Sequence, residues 1–275
     1  MSESETKALI KQIYNEGKIV PFIGSGFSKP LGLPDWNGLV EKIGIDLGYD
    51  PQLFSLHGTN FQLLEYIKQF HEDEWETFLH NLKKDFDSST VNRKRKKSKT
   101  HIALSKLVNI KTIYTTNYDL QIENSLQQHG RSVAVLSSLK DFIKTAVKNI
   151  DCEVIKFHGT LKQGDSLILT ESEYLKRMNL EEPVDLRLRS DLLSNSFLFI
   201  GYSFNDPNIR YIWYKINELK LQLKRKAQLR PSFFVTFGEE YVQNKLLERW
   251  GIKSVNLDPE DKSERLAEFL EEIGI

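Results

Sequence analysis

The chain has 275 residues, 40% of them hydrophobic, enough at this length to bury a large core. Lysine plus arginine equals aspartate plus glutamate at 38 each, so no global field draws the chain to nucleic acid or to an anionic surface. Its single cysteine, Cys152, excludes an internal disulfide and any zinc site built on several cysteines.

No apolar run nears the roughly 18 residues of a membrane span, and the opening MSESETK lacks the basic-then-apolar order of a secretory signal. A cytoplasmic protein with no membrane association is therefore expected. In chain order, Lys7 to Tyr14 reads as a short amphipathic helix. Ile19, Val20, Phe22 and Ile23 then form a strand that Gly24 ends. Gly24-Ser25-Gly26 suits a turn where the backbone approaches a phosphate, with Ser25 and Ser28 as hydroxyl donors. The dinucleotide fingerprint is incomplete, because Lys29 stands where its third glycine belongs. A plain tight turn explains the stretch equally well. Gly24→Val is expected to place a side chain where such a phosphate would lie while leaving the fold intact.

Asp35 reads as the cap of a helix carrying Leu39, Val40 and Ile43 at helical spacing. From Phe54 to Phe86 the period stays helical, with Phe61, Leu64 and Ile67 on one stripe and Trp75, Phe78, Leu79 and Leu82 on another. This predicts a helical insertion over residues 50–100 of a single domain spanning 1–275. His71-Glu72 opens like a zinc-protease helix, but Trp75 replaces the second histidine ligand. The basic run Arg93 to Lys97 reads as a solvated, mobile loop, the alternative being a phosphate or nucleic-acid contact without aromatic stacking platforms.

From His101 onward, strands over Thr112–Thr115, Ser132–Leu136, Glu153–Phe157, Phe197–Ile200, Ser232–Thr236 and Lys253–Leu257 alternate with helices such as Asp206–Leu223 and Glu239–Trp250. The expectation is an α/β fold: a Rossmann-like parallel sheet with helices on both faces, a small inserted helical layer and no zinc module. Ligands of such sheets lie at the carboxyl ends of the strands. There the sequence places Thr115, Thr116, Asn117 and Asp119, then His158 and Gly159, then Gly201, Ser203, Asn205 and Asp206. Each has a plainer reading: Asn117 as a helix cap, His158 as a structural histidine, Asp206-Pro207 as a cap with proline at the first helical position. Recurrence of such residues at strand after strand favours a nucleotide site.

The set Phe22-Ile23-Gly24-Ser25-Gly26, Leu33-Pro34-Asp35-Trp36, Thr115-Thr116-Asn117-Tyr118-Asp119, Phe157-His158-Gly159, "LFIGYSFNDPN" from Leu198, and Val255-Asn256-Leu257 resembles the sirtuin-like NAD-binding domains. In particular it resembles the bacterial anti-phage NAD hydrolases of the Thoeris effector type. The resemblance implies that Gly24, Ser25 and Gly26 line the NAD pyrophosphate, that Asn117 and Asp119 face the nicotinamide ribose, and that His158 is the general base. Gly201 and Ser203 would hold the adenosine half, and Asp35, Thr116 and Asn256 join the NAD-binding set through their motifs. Asn117 and His158 are thus the expected catalytic pair. NAD+ is expected as substrate, with no other cofactor and no metal. A protein deacylase is disfavoured: one cysteine cannot make two Cys-x-x-Cys pairs, and Thr116 stands where deacylases have glutamine. Because a persistently active NAD hydrolase would kill its host, restraint by a homo-oligomer is expected, and, as the chain ends directly after the catalytic unit, so is a separate activating subunit, a nucleic-acid-handling or nucleotide-sensing protein. The alternative is a non-catalytic sensor of NAD or an ADP-ribose derivative.

Overall fold

Runs rich in Ile, Val and Phe suit a pleated sheet buried on both faces. In the computed structural model, which describes residues 3–50, 53, 56–146, 149–203, 206–222, 230–238 and 241–274, these runs form seven strands. Phe54, Asn205, Leu223 and Glu239, used in the sequence reading, lie outside the described residues. The strands are β1 (Ile19–Ile23), β2 (Thr112–Thr115), β3 (Val133–Leu136), β4 (Cys152–Lys156), β5 (Ser196–Ile200), β6 (Ser232–Phe237) and β7 (Ile252–Leu257). Each expected strand is present, its ends shifted by no more than one residue. All pair in parallel, in the order β3-β4-β2-β1-β5-β6-β7.

The helices are α1 (Glu3–Asn15), α2 (Trp36–Asp46), α3 (Asn60–Phe70), α4 (Glu72–Phe86), α5 (Ser89–Lys97), α6 (Lys99–Lys106) and α7 (Gln121–Gln128), then α8 (Leu139–Thr145), α9 (Glu171–Arg177), α10 (Pro183–Ser194), α11 (Pro207–Gln222), α12 (Tyr241–Arg249) and α13 (Lys262–Gly274). Alternate strand residues enter opposite cores. Ile19 and Ile23 pack with Ile10 of α1, Leu104 of α6 and Leu270 of α13. Val20 and Phe22 pack on the other face with Leu188 of α10 and Trp213 of α11. A third cluster, built on Leu39, Leu64, Ile67, Phe78 and Leu82, joins α2 to the helices α3 and α4 beside the sheet.

The basic run departs from the sequence reading. It forms α5, whose first turn is capped by Ser88 accepting from the Val91 N–H. Val91 and Arg95, four residues apart, share the buried face, and Arg95 Nη1 donates to Gln128 Oε1 at 2.8 Å. A loop is excluded because that spacing lets Val91 and Arg95 anchor the helix while Lys94, Lys96 and Lys97 remain in water. Ser98 then caps α6, accepting from the His101 N–H.

Candidate functional site

The sheet register brings the candidate residues together. Ile23 lies opposite Thr115 on one side and Ile200 on the other, and Thr115 lies opposite Lys156. Four strands therefore end at one level. The second residue past each end is Ser25, Asn117, His158 or Tyr202, and all four line one cavity of about 200 Å³. Asp35, Thr116, Asp119, Gly201, Ser203 and Asp206 line it too, with Trp36 and Phe61 among its apolar walls.

Asn117 bridges two strand ends. Thr115 Oγ1 donates to Ile23 O at 2.8 Å and accepts from the Asn117 N–H at 3.0 Å, which turns the chain off the sheet. Asn117 Nδ2 donates to Gly24 O at 3.1 Å and Ser28 Oγ at 3.3 Å, while its Oδ1 is buried without a hydrogen-bond partner. Asn117 is thus not a helix cap. Asp119 serves the following helix instead, accepting from the Gln121 N–H at 2.8 Å. Beneath the loop, the buried Lys156 ammonium donates to Asn117 O at 3.2 Å and to Asp119 O. Glu123 pairs with it at 2.7 Å. Burial pushes the Glu123 carboxyl up, and Lys156 pulls it partly back.

His158 is buried against the cavity. Its Nδ1 lies 3.0 Å from the Tyr174 hydroxyl and its Nε2 3.0 Å from Asp206 Oδ2. Gly159 has φ +80°, and a Cβ there would meet Ser166 O at 1.9 Å, so only glycine lets the chain turn away behind the imidazole. Asp206 does cap its helix, Oδ1 accepting from the Ile209 N–H at 3.3 Å, but its other oxygen belongs to the site. The plain cap reading was therefore half of its role. Burial, then the Asp206 charge, holds the Tyr174 and Tyr202 phenols well above their ordinary range, so both stay protonated. The Asp35 carboxyl is held low by the Gly38 N–H it caps, aided by Lys29.

The glycines of the opening turn stand behind the cavity. A Cβ on Gly24 would meet Gly201 O at 2.4 Å and Tyr202 Cδ2 at 2.7 Å, and one on Gly26 would meet Gly201 O at 2.9 Å. Their smallness makes room for the loop after β5, which Gly26 N binds through Gly201 O. Asn256 stands apart. It sits on the edge strand β7, two places from β5, and its Oδ1 accepts from the Gly238 N–H at 2.9 Å. The sequence pattern gave no signal for Tyr174, which sits on helix α9 away from any strand end, and underrated Asp206. Among the described residues, no group of three or more His, Cys, Asp or Glu side chains could hold a metal ion. No helix among them is long and apolar enough to cross a membrane.

Residues 111–255, more than half of the chain, match the SIR2-like domain. The chain belongs to the SIR2-like domain family. This SIR2-like domain is 26% identical over 264 residues to the NAD(+) hydrolase ThsA of Bacillus cereus, covering 92% of the chain and 53% of that relative. It is 31% identical over 223 residues to the NAD(+) hydrolase ThsA of Acinetobacter baumannii, covering 78% and 43%. To Defense-associated sirtuin 2 of Bacillus subtilis it is 23% identical over 256 residues, covering 90% and 24%. The chain thus spans about half, or less, of the length of the curated relatives it matches. A solved SIR2 homolog–NAD complex shares the fold, with TM-score 0.54 at 14% identity over 98% of this chain and 93% of that one.

Proposed function

We propose that this SIR2-like domain hydrolyses the N-glycosidic bond of NAD+, releasing nicotinamide and ADP-ribose, as an NAD-depleting effector of bacterial anti-phage defence. The observation that carries the reading is the meeting of Asn117 and His158 on one cavity wall, Asn117 with a buried Oδ1 that lacks a hydrogen-bond partner in the protein and His158 held between Asp206 and Tyr174. Buried polar atoms are seldom left so, and at a strand-end rim the missing partner is a ligand. Relatives named NAD(+) hydrolase and defence-associated sirtuin support the same substrate and setting.

The cavity volume of about 200 Å³ exceeds the roughly 150 Å³ that admits a benzene ring, so it suits a nicotinamide. Rupture of the bond builds positive charge on the ribose while nicotinamide leaves with the electron pair. Asn117 Oδ1 accepts from a ribose hydroxyl or from water, the Asp119 carboxylate lies on the same wall, and the His158 cluster handles the water proton. Ser25, Gly201 and Ser203 are assigned to the rest of the dinucleotide, with Thr116 and Asp35 at the rim. The pyridinium is already a good leaving group, so the reaction calls for no further cofactor. Residues 1–275 act as one unit in this reading, and Phe61 and Phe86 on the cavity wall support including the helices of residues 50–100 in it. Because unchecked NAD loss kills the host, the proposal extends to control by self-association and by a separate regulatory subunit, in the cytoplasm.

The test is nicotinamide release from NAD+, followed by chromatography over a protein concentration series, with Asn117→Ala and His158→Ala alongside. Release by the native chain that both substitutions abolish is the expected result. NAD+ bound without product over hours would replace the hydrolase with a sensor.

A further inference from the structure

The neighbours of His158 decide which of its nitrogens carries a proton. Asp206 Oδ2 is 3.0 Å from Nε2, the two side chains being 8% and 3% exposed. A carboxylate accepts and has no proton to give, and its charge 3.0 Å from Nε2 favours the positive end of an N–H dipole over a bare lone pair on that nitrogen, even off the ring's N–H axis. Nε2 therefore bears hydrogen, and the neutral ring keeps its lone pair on Nδ1. Nδ1 is taken by the Tyr174 hydroxyl at 3.0 Å, which must then be the donor. Nε2 meets no partner in hydrogen-bond geometry, so Asp206 acts on the ring by charge, off the N–H direction. The imidazole is left with no lone pair for the cavity. The Tyr174 oxygen, having given its proton to Nδ1, keeps lone pairs, and Tyr174 lines the cavity beside His158 and Asp206.

Resting on the proposed glycosidic cleavage, the geometry points to an Asp206–His158–Tyr174 relay in which the Tyr174 hydroxyl is the catalytic residue that meets the attacking water. Asp206 is the positioning residue that fixes the histidine tautomer. As the ribose C1′–N bond breaks and its electron pair leaves on nicotinamide, the water oxygen bonds to C1′ and its proton passes to Tyr174 Oη. The Tyr174 proton passes at the same time to His158 Nδ1, giving an imidazolium whose charge Asp206 balances. No co-reactant beyond water is consumed. The phenol never ionises, in keeping with its buried surroundings. Both ends of the relay are held: the Tyr174 ring lies 4.0 Å from that of Phe61 and 5.0 Å from that of His158, and Asp206 is fixed as the cap of α11.

The test combines Tyr174→Phe and Asp206→Asn with nitrogen-15 NMR of labelled histidine, the His158 signals assigned by their loss in His158→Ala. The native spectrum is expected to show His158 protonated at Nε2 and bare at Nδ1. Asp206→Asn, whose amide can donate or accept, is expected to populate both tautomers. Tyr174→Phe is expected to bind NAD+ by calorimetry yet release nicotinamide on the order of 10²- to 10⁴-fold more slowly. Native-rate release by Tyr174→Phe, or an Nδ1–H tautomer in the native chain, overturns the relay. A native chain that releases no nicotinamide overturns the cleavage reading and the Tyr174 step with it, while the tautomer spectra, which need no turnover, separately uphold or overturn the role of Asp206.

Discussion

Gly24 has φ −105° and ψ −180°, an extended conformation open to any residue, so its backbone angles do not explain it. Space does: the Gly201 carbonyl, a backbone atom with little freedom to yield, stands where a Cβ would be. The expectation that Gly24→Val leaves the fold intact is therefore corrected. That substitution should lower stability by about 1–3 kcal/mol, read as a fall in the thermal midpoint, with NAD+ binding lost because the loop after β5 is displaced. His158→Ala should behave differently, keeping NAD+ affinity while nicotinamide release falls by about 10²- to 10⁴-fold. An unchanged midpoint for the first variant, or lost affinity for the second, would contradict these assignments.

Between β2 and β4, the support of the Asn117 loop rests on a buried charge pair. Lys156→Met would strand the Glu123 carboxylate in a dry interior at a cost of about 3–5 kcal/mol, and adding Glu123→Leu should restore most of it. Urea unfolding of the single and double variants measures this. Helix α6 carries a second buried group, His101, which burial and then the Arg95 charge push down to about 3. The unfolded chain protonates this histidine near 6.5 while the folded chain keeps it neutral, so the unfolded state binds the extra proton between those values. Its contribution is fully present above about 6.5 and is lost as pH falls toward 3, by up to about 1.4 kcal/mol per pH unit. His101→Phe, which preserves the ring packing on Phe27, should flatten this acid limb in urea midpoints taken at pH 7 and pH 4.

For the molecule as a whole, a ligand that binds only the folded state raises its stability. NAD+ at a hundred times its Kd should add about 2.7 kcal/mol to His158→Ala, visible as a higher thermal midpoint, and nothing to Gly24→Val, which does not bind it. Strand positions were legible in the sequence because β-branched and aromatic runs, ended by glycine or by a polar turn, are local signals. The polar residues at those ends, Asn117 and His158 among them, were legible for the same reason. Strand order was not, since pairing β1 between β2 and β5 depends on helices packing across the whole sheet, and that order alone leaves Asn256 at an edge. Nor was the burial of Arg95 in the basic run, which needed Gln128 on α7 as a partner. The sequence by itself determined the kinds of chemistry available at the rim, through residue types next to strand ends. Only the tertiary structure decided that Asp206 and Tyr174 hold His158, because a buried group's partners are chosen by packing between segments far apart in the chain, and no local period records them.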